Sequence, residues 1–273
     1  MRVGMGQLLV EGGEPERNME RGRRMVGEAK AAGCDLIILP ETLDLGWTHP
    51  SALTEAEPIP GPRSQMLCEF ARDQRIYICA GLTEQDGGQI YNTAILIDDN
   101  GEILLKYRKI NILDVAFPFY GIGDMLRVVD TKFGRVGVNI CSDNYADCPE
   151  LGHSLARMGA QLILSPSSWT VDYSTQDSTN PYQDKWLRSY HRLAAAHGIV
   201  VVSTTAVGYI VGGPYEGKKM VGCSLCVGAD GVIAAGTYNE VAGELAIAEF
   251  DVPDRAFKGT QIGQALTKQG FYG

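Results

Sequence analysis

The sequence predicts an α/β fold in which two mixed β-sheets pack face to face beneath helices. Three observations carry that expectation. Apolar runs and helical patterns take turns along the whole chain, and hairpin signals at 91–106 and 225–235 add antiparallel pairs to the alternation. No repeat, low-complexity tract or linker interrupts the pattern, so residues 1–273 read as one domain. Single α/β domains commonly reach roughly 250 residues.

Residues 2–10 predict a strand. Residues 15–32 then place Met19, Met25, Val26, Ala29 and Ala32 at helical spacing, with Gly33 positioned to cap the helix. Leu36-Ile37-Ile38-Leu39 reads as a buried strand, and the Pro58–Pro62 connection leads to a helix at about 63–74. Strands follow near 76–83, 91–98 and 102–106, with Asp99-Asn100-Gly101 as the turn between the last two. A long aromatic connection covers 107–125. Strands near 126–130 and 135–140, a helix near 147–159 and the strand 162–164 come next. A second long loop (166–180), a helix at about 182–197 and the strand 199–202 lead to final strands near 220–228, 231–236 and 244–250.

Composition narrows the function classes. The chain is 45% hydrophobic and 21% charged, an ordinary globular balance, and its formal charge of -9 disfavours nucleic acid and anionic membranes as partners. No apolar run approaches the ~18 residues of a membrane span. The seven cysteines are odd in number and irregularly spaced, which argues against a disulfide framework. The N-terminus reads as a strand rather than a leader, so a cytoplasmic setting is the expectation.

Ligand sites of α/β sheets tend to lie beyond the carboxyl ends of strands. Glu41, Lys109 and Cys141 each follow a predicted strand. Together they suit acyl transfer: a thiol nucleophile, a carboxylate to take its proton, and an ammonium to hold the oxyanion. The backbone N–H of Ser142, at the turn after the nucleophile, is the natural second oxyanion donor. Singly, each has a bland alternative: a buried structural thiol, a loop carboxylate, or part of a solvated basic patch with Lys106 and Arg108.

In combination their contexts are more specific. Leu39-Pro40-Glu41-Thr42, Lys106-Tyr107-Arg108-Lys109-Ile110 and Gly137-Val138-Asn139-Ile140-Cys141-Ser142-Asp143 resemble the three signatures of the nitrilase superfamily of carbon-nitrogen hydrolases, in the right order. Tyr91-Asn92-Thr93-Ala94, the run Thr131–Gly137, and Pro166-Ser167-Ser168-Trp169 extend the resemblance over almost the full chain. The resemblance implies an α-β-β-α sandwich that dimerises into four layers, without metal or organic cofactor. It also implies roles: Cys141 attacks an amide, carbamoyl or nitrile carbon, Glu41 is the base, and Lys109 holds the oxyanion. A thioester on Cys141 would then be cleaved by water.

The sequence departs from that pattern in two places. Many members carry a second glutamate between the lysine and the cysteine, whereas residues 110–140 contain none, and Phe117–Asp124 fills the place with aromatic and glycine residues. The segment Asp143–Glu150 also lacks the arginine with which some relatives clamp a carboxylate, so a neutral or cationic substrate is expected. Trp47, Phe117, Phe119, Tyr120, Tyr145 and Trp169 are candidate walls for it, with Tyr120, Tyr145 and Trp169 the candidate substrate contacts. Cys223-x-x-Cys226 reads as core packing within one strand rather than a metal site. His49 and His153 are expected at the surface or a pocket rim. Amide or carbamoyl hydrolysis is the leading functional expectation. The alternatives are a nitrilase converting a nitrile to acid, and a catalytically silent metabolite-binding member of the fold.

Overall fold

In the computed structural model, which describes residues 1–254 and 268–269, fifteen strands are divided among three sheets. The first half of the chain supplies β1 (Arg2–Gln7), β2 (Leu36–Ile38), β3 (Tyr77–Asp86), β4 (Gln89–Ile97) and β5 (Ile103–Arg108). The second half supplies β6 (Val128–Thr131), β7 (Gly134–Val138), β8 (Leu162–Ser167), β9 (Thr170–Val171) and β10 (Val200–Thr205). It continues with β11 (Val207–Tyr209), β12 (Lys219–Val221), β13 (Leu225–Gly228), β14 (Gly231–Ala235) and β15 (Glu244–Glu249). One sheet runs β15-β1-β2-β3-β4-β5 and the other β14-β13-β10-β8-β7-β6, while β11-β12-β9 form a small third sheet. Each large sheet has three parallel central strands (β1, β2, β3 and β7, β8, β10) flanked by antiparallel pairs.

Strand parity builds the layers. Leu36 and Ile38 of β2 join Val3, Met5, Cys79 and Leu96 in a core shared with Val138, Leu162, Leu164 and Val202 of the other sheet. Ile37, one residue out of phase, turns to the opposite face and meets Met25, Val26 and Ala29 of α1 (Pro15–Ala31). The short α2 (Ala52–Glu55) lies in the loop after β2, and α3 (Pro62–Gln74) packs beside α1 through Leu67 and Ala71. On the far side, α4 (Glu150–Arg157) and α5 (Lys185–His197) cover the second sheet with Leu155, Leu193 and Ala194. Burying each Leu, Ile or Val contributes roughly 1.5–3 kcal/mol relative to exposure. The apolar faces, more than helix propensity, therefore hold the helices in place.

Turns connect the layers where the backbone permits. Gly87 and Gly88, at φ 56 and 83, form a two-residue β3–β4 hairpin of the kind that needs positive φ at both positions. Among the described residues no helix is long and apolar enough to cross a membrane.

Two local expectations change. The segment 220–228 is not one strand: Gly222 and Cys223 are left-handed (φ 70 and 61), so β12 joins the third sheet and β13 the second. Cys223 and Cys226 consequently do not share a strand. His153 is buried between α4 and α5, with Nδ1 2.6 Å from Nε2 of His197. The domain expected over residues 1–273 includes 255–267 and 270–273, which lie outside the described residues.

Candidate active site

The carboxyl ends of β2, β5 and β7 lead directly into the three reactive residues. After β2, the backbone is clamped between the sheets: Leu39 N–H donates to Cys79 O (2.8 Å), Gly81 N–H to Pro40 O (3.1 Å) and Glu41 N–H to Ser167 O (3.3 Å). Gly81 is required here. A Cβ at that position would lie 2.6 Å from Glu41 Cα and 2.7 Å from Thr42 N, so only glycine lets the segment pass this close. The Glu41 side chain ends fully buried.

Lys109 continues the register of β5, its N–H donating to Asn92 O of β4 (2.8 Å). Its Nζ then reaches Glu41 Oε1 at 2.6 Å, and Asn92 Nδ2 donates to the same oxygen at 2.6 Å. Asn92 thus holds both partners, one through its backbone and one through its side chain. Oε2 of Glu41 is buried and makes no hydrogen bond of good geometry, while the Cys141 thiol lies close enough to interact with the carboxylate.

Cys141 opens a short 3-10 turn (Cys141–Asn144) two residues after β7, at φ 47, a conformation that disfavours side chains. Asp143 fixes this turn to its surroundings. Its carboxylate accepts from Ile140 N–H (2.8 Å), Asn111 N–H (2.8 Å) and Tyr107 OH (2.7 Å), joining the nucleophile turn to β5 and to the loop after Lys109. Asn144 adds a second brace, donating to Ser165 Oγ (2.9 Å) and exchanging hydrogen bonds with Asn139. Ser142 turns its hydroxyl away to Asn111 O (2.6 Å). Its N–H lies in the first turn, where no intrahelical acceptor exists.

The electrostatics follow from burial. Desolvation, reinforced by the Glu41 charge and opposed by Lys109 and the Ser168 N–H, pushes the Cys141 thiol up to about 12. Burial opposes the Lys109 charge, but Glu41, Cys141 and Asp143 together raise its pKa above the ordinary lysine value. Burial also raises the pKa of Asp143, against the pull of Lys109 and the donors around it. The resting thiol is therefore protonated at neutral pH beside a carboxylate and an ammonium.

Cys141 and Lys109 open into a cavity of about 300 Å³ whose wall includes six aromatic residues. Trp169 and Trp186 stack with centroids 4.8 Å apart, Tyr145 and Tyr182 pack against them, and Trp47 meets Tyr215 edge-on at 5.0 Å. Of the three expected substrate contacts, Tyr145 and Trp169 line this cavity. Tyr120 does not. It is buried with Trp47, Ala52 and Ala116, and its hydroxyl accepts from Thr48 N–H (3.0 Å). Its ring supports Trp47 from behind, because the loop turns inward at Asp114–Ala116 rather than spreading over the cavity. Ala116 and Tyr120 thus pack an apolar layer in the segment where a second glutamate was sought.

Sequence reasoning overlooked Asn92, Gly81, Tyr182, Lys185 and Trp186. Asn92 lies within Tyr91-Asn92-Thr93-Ala94, and an Asn in this largely apolar strand was its signal. Lys185 and Trp186 come from the start of α5, whose docking over the cavity depends on tertiary structure.

Comparison with known proteins agrees with this architecture. The family model for carbon-nitrogen hydrolases matches residues 2–256. A nitrilase of Pyrococcus abyssi is 30% identical over 244 residues, covering 88% of this chain and 85% of that protein. The human omega-amidase NIT2 is 32% identical over 181 residues, covering 62% of this chain and 64% of the relative. Among solved structures, an amidase of Nesterenkonia sp. AN1, in a variant showing Michael addition of acrylamide at its active-site cysteine, superposes with a TM-score of 0.79. It is 19% identical, and the match covers 98% of this chain and 99% of that one. The α-β-β-α fold is therefore shared with that amidase, and the chain belongs to the carbon-nitrogen hydrolase family.

Proposed function

We propose that the protein hydrolyses the C–N bond of a small amide or N-carbamoyl compound through a thioester on Cys141. One observation carries this reading: the buried Cys141 thiol and Lys109, whose ammonium is ion-paired to the buried Glu41 carboxylate, line a single cavity. Cys141 Sγ attacks the carbonyl carbon while the free Oε2 of Glu41 takes the thiol proton. Lys109 Nζ and the Ser142 N–H receive the developing oxyanion. As the tetrahedral intermediate collapses, Glu41 passes its proton to the departing ammonia or amine. A water molecule, deprotonated by Glu41, then attacks the thioester, releasing the acid and restoring the thiol. Among the relatives' names, omega-amidase and amidase support an amide as substrate, and nitrilase supports a nitrile as the second reading.

The decisive experiment pairs ammonia release with intact-mass measurement. The parent should release ammonia from primary amides and carry an acyl adduct on Cys141 with a slow substrate. Cys141→Ala should do neither while remaining folded. Equal hydrolysis by parent and variant would remove the assignment, and an adduct-free parent that binds amides without turnover would favour a metabolite-binding role. Matched amide and nitrile, supplied separately, distinguish amidase from nitrilase. We further propose a homodimer, which light scattering tests.

A further inference from the structure

The cavity wall has an uneven charge. Its described lining residues include three lysines, Lys109, Lys185 and Lys218, and no aspartate or glutamate. Two of the three are matched. Glu41 neutralises Lys109 at 2.6 Å, and Asp172 neutralises Lys218 at 2.5 Å. Lys185 has no carboxylate within ion-pairing distance among the described residues; Asp147 acts on it only at longer range. A chain of net charge -9 repels anions overall, so an unmatched cation inside its cavity marks a local preference.

The position of Lys185 is constrained as well. It is the first residue of α5, and its Nζ lies 3.8 Å from the Tyr145 ring centroid and 5.1 Å from that of Trp186. Ring faces orient an ammonium without neutralising it. Lys185 as a whole is solvent-exposed, yet its head is desolvated enough among the rings to lower its pKa, with the Cys141 sulfur and Asp147 acting in the opposite direction. An arriving anion would offset that desolvation and favour the charged form. The neighbouring Trp169 adds an indole N–H that is buried without a hydrogen-bond partner.

We infer that Lys185 receives a carboxylate carried by the substrate at the end remote from its scissile C–N bond. This rests on the hydrolase reading above and names its substrate class. A cationic substrate would meet the unmatched Lys185, and a neutral one would leave it unmatched, so the neutral or cationic preference drawn from the sequence is replaced. That expectation searched for an arginine after the nucleophile, whereas the cation is delivered by α5. The same carboxylate chemistry is offered by ω-amides of dicarboxylic acids and by N-carbamoyl amino acids, and either fits about 300 Å³ in its short-chain form.

The test compares pairs differing only by a carboxylate in place of a methyl group: succinamate against butanamide, and N-carbamoylglycine against ethylurea. The anionic member of at least one pair should have the higher kcat/KM by about 10- to 100-fold, the range of a charge-assisted hydrogen bond. The pair showing the effect identifies the source. Lys185→Met should collapse that ratio mainly through KM, and Lys185→Arg should retain it. Calorimetric binding to Cys141→Ala, with and without Lys185→Met, asks the same question without turnover. Amides hydrolysed with no preference for the anion, or a preference untouched by Lys185→Met, would overturn this inference and leave the hydrolase reading standing. No turnover by the parent, with Lys185-dependent binding of succinamate to Cys141→Ala, would do the reverse. Binding that is absent or indifferent to charge in that variant counts against Lys185.

Discussion

Glu41 and Lys109 form an ion pair 2.6 Å long whose side chains are 0% and 2% exposed, and the pair stands against the thiol of Cys141. Buried pairs seldom stabilise a fold beyond what an apolar pair would, and removing one partner costs about 3–5 kcal/mol. Its place at two strand ends, beside the Cys141 thiol at a third, suits preorganised charge for the proposed reaction.

Replacing Glu41 separates two properties of the thiol. Burial, and then the Glu41 charge, hold Cys141 at about 12, whereas Lys109 pulls the other way. Glu41→Gln removes a raising influence and leaves the lowering one, so the thiol should titrate at lower pH. Amide turnover should nonetheless fall by on the order of 10³-fold or more, because the proposed base is gone. Thiolate absorbance near ~240 nm against pH, read beside ammonia release, checks both signs. A thiol that titrates unchanged or higher would contradict the electrostatic account.

Gly81→Ala should damage both stability and rate. The added methyl would meet Glu41 Cα at 2.6 Å, a backbone atom with little room to yield. Overpacking of this kind costs ~1–3 kcal/mol, and the displaced carboxylate should lower kcat. Gly27 within α1 is the control, since nothing lies within 4 Å of its would-be Cβ. Gly27→Ala should be neutral or stabilise by up to ~1 kcal/mol. Thermal unfolding of the two variants makes the comparison; equal behaviour would refute the close-approach argument.

Asn92→Ala should reduce kcat by roughly 10-fold or more with a smaller change in KM, since its amide orients Glu41 and lies behind the substrate cavity rather than in its wall. The lost hydrogen bond should cost about 1 kcal/mol of stability. Steady-state kinetics on a primary amide decide it, and an unaltered kcat would show that Lys109 alone positions the carboxylate.

The fold should weaken as pH rises above about 9. Cys141 and Cys226 are each pushed up to about 12 by burial, and Cys79, the buried Tyr107, Tyr120 and Tyr190, and the partly buried Tyr182 are raised too. In the unfolded chain these acids release protons near their ordinary values, while the folded chain retains them. The unfolded state therefore gains, by up to about 1.4 kcal/mol per pH unit for each such group. Denaturant melts between pH 8 and pH 11 measure the slope. Cys226→Ala should make it shallower, and a flat profile would mean that these thiols and phenols are reachable by solvent.

Much of this architecture was legible in the chain because periodicity is a local property. The two sheets, α1, and the strand exits before Glu41 and Cys141 all follow from apolar spacing and punctuation by glycine and proline. Gly222 and Cys223 defeated the same reasoning: an apolar run of strand-like composition hides a left-handed turn, and no residue type there demands it. Tyr120 was misplaced for a related reason. An aromatic ring in a long loop is equally suited to a cavity wall and to the layer behind one, and the inward turn at Asp114–Ala116 decides between them. Lys185 could not be anticipated, because its importance comes from where α5 lands rather than from its neighbours in sequence.

The backbone angle at Cys141 has an evolutionary corollary. At φ 47 the position suits glycine better than any residue bearing a side chain, so the sulfur is retained against a conformational preference. On the proposed function, loss of chemistry there would leave a sturdier molecule, and descendants that abandon catalysis would face little penalty in folding. Persistence of a thiol at such a site in any lineage is therefore a sign of selection for turnover rather than for shape.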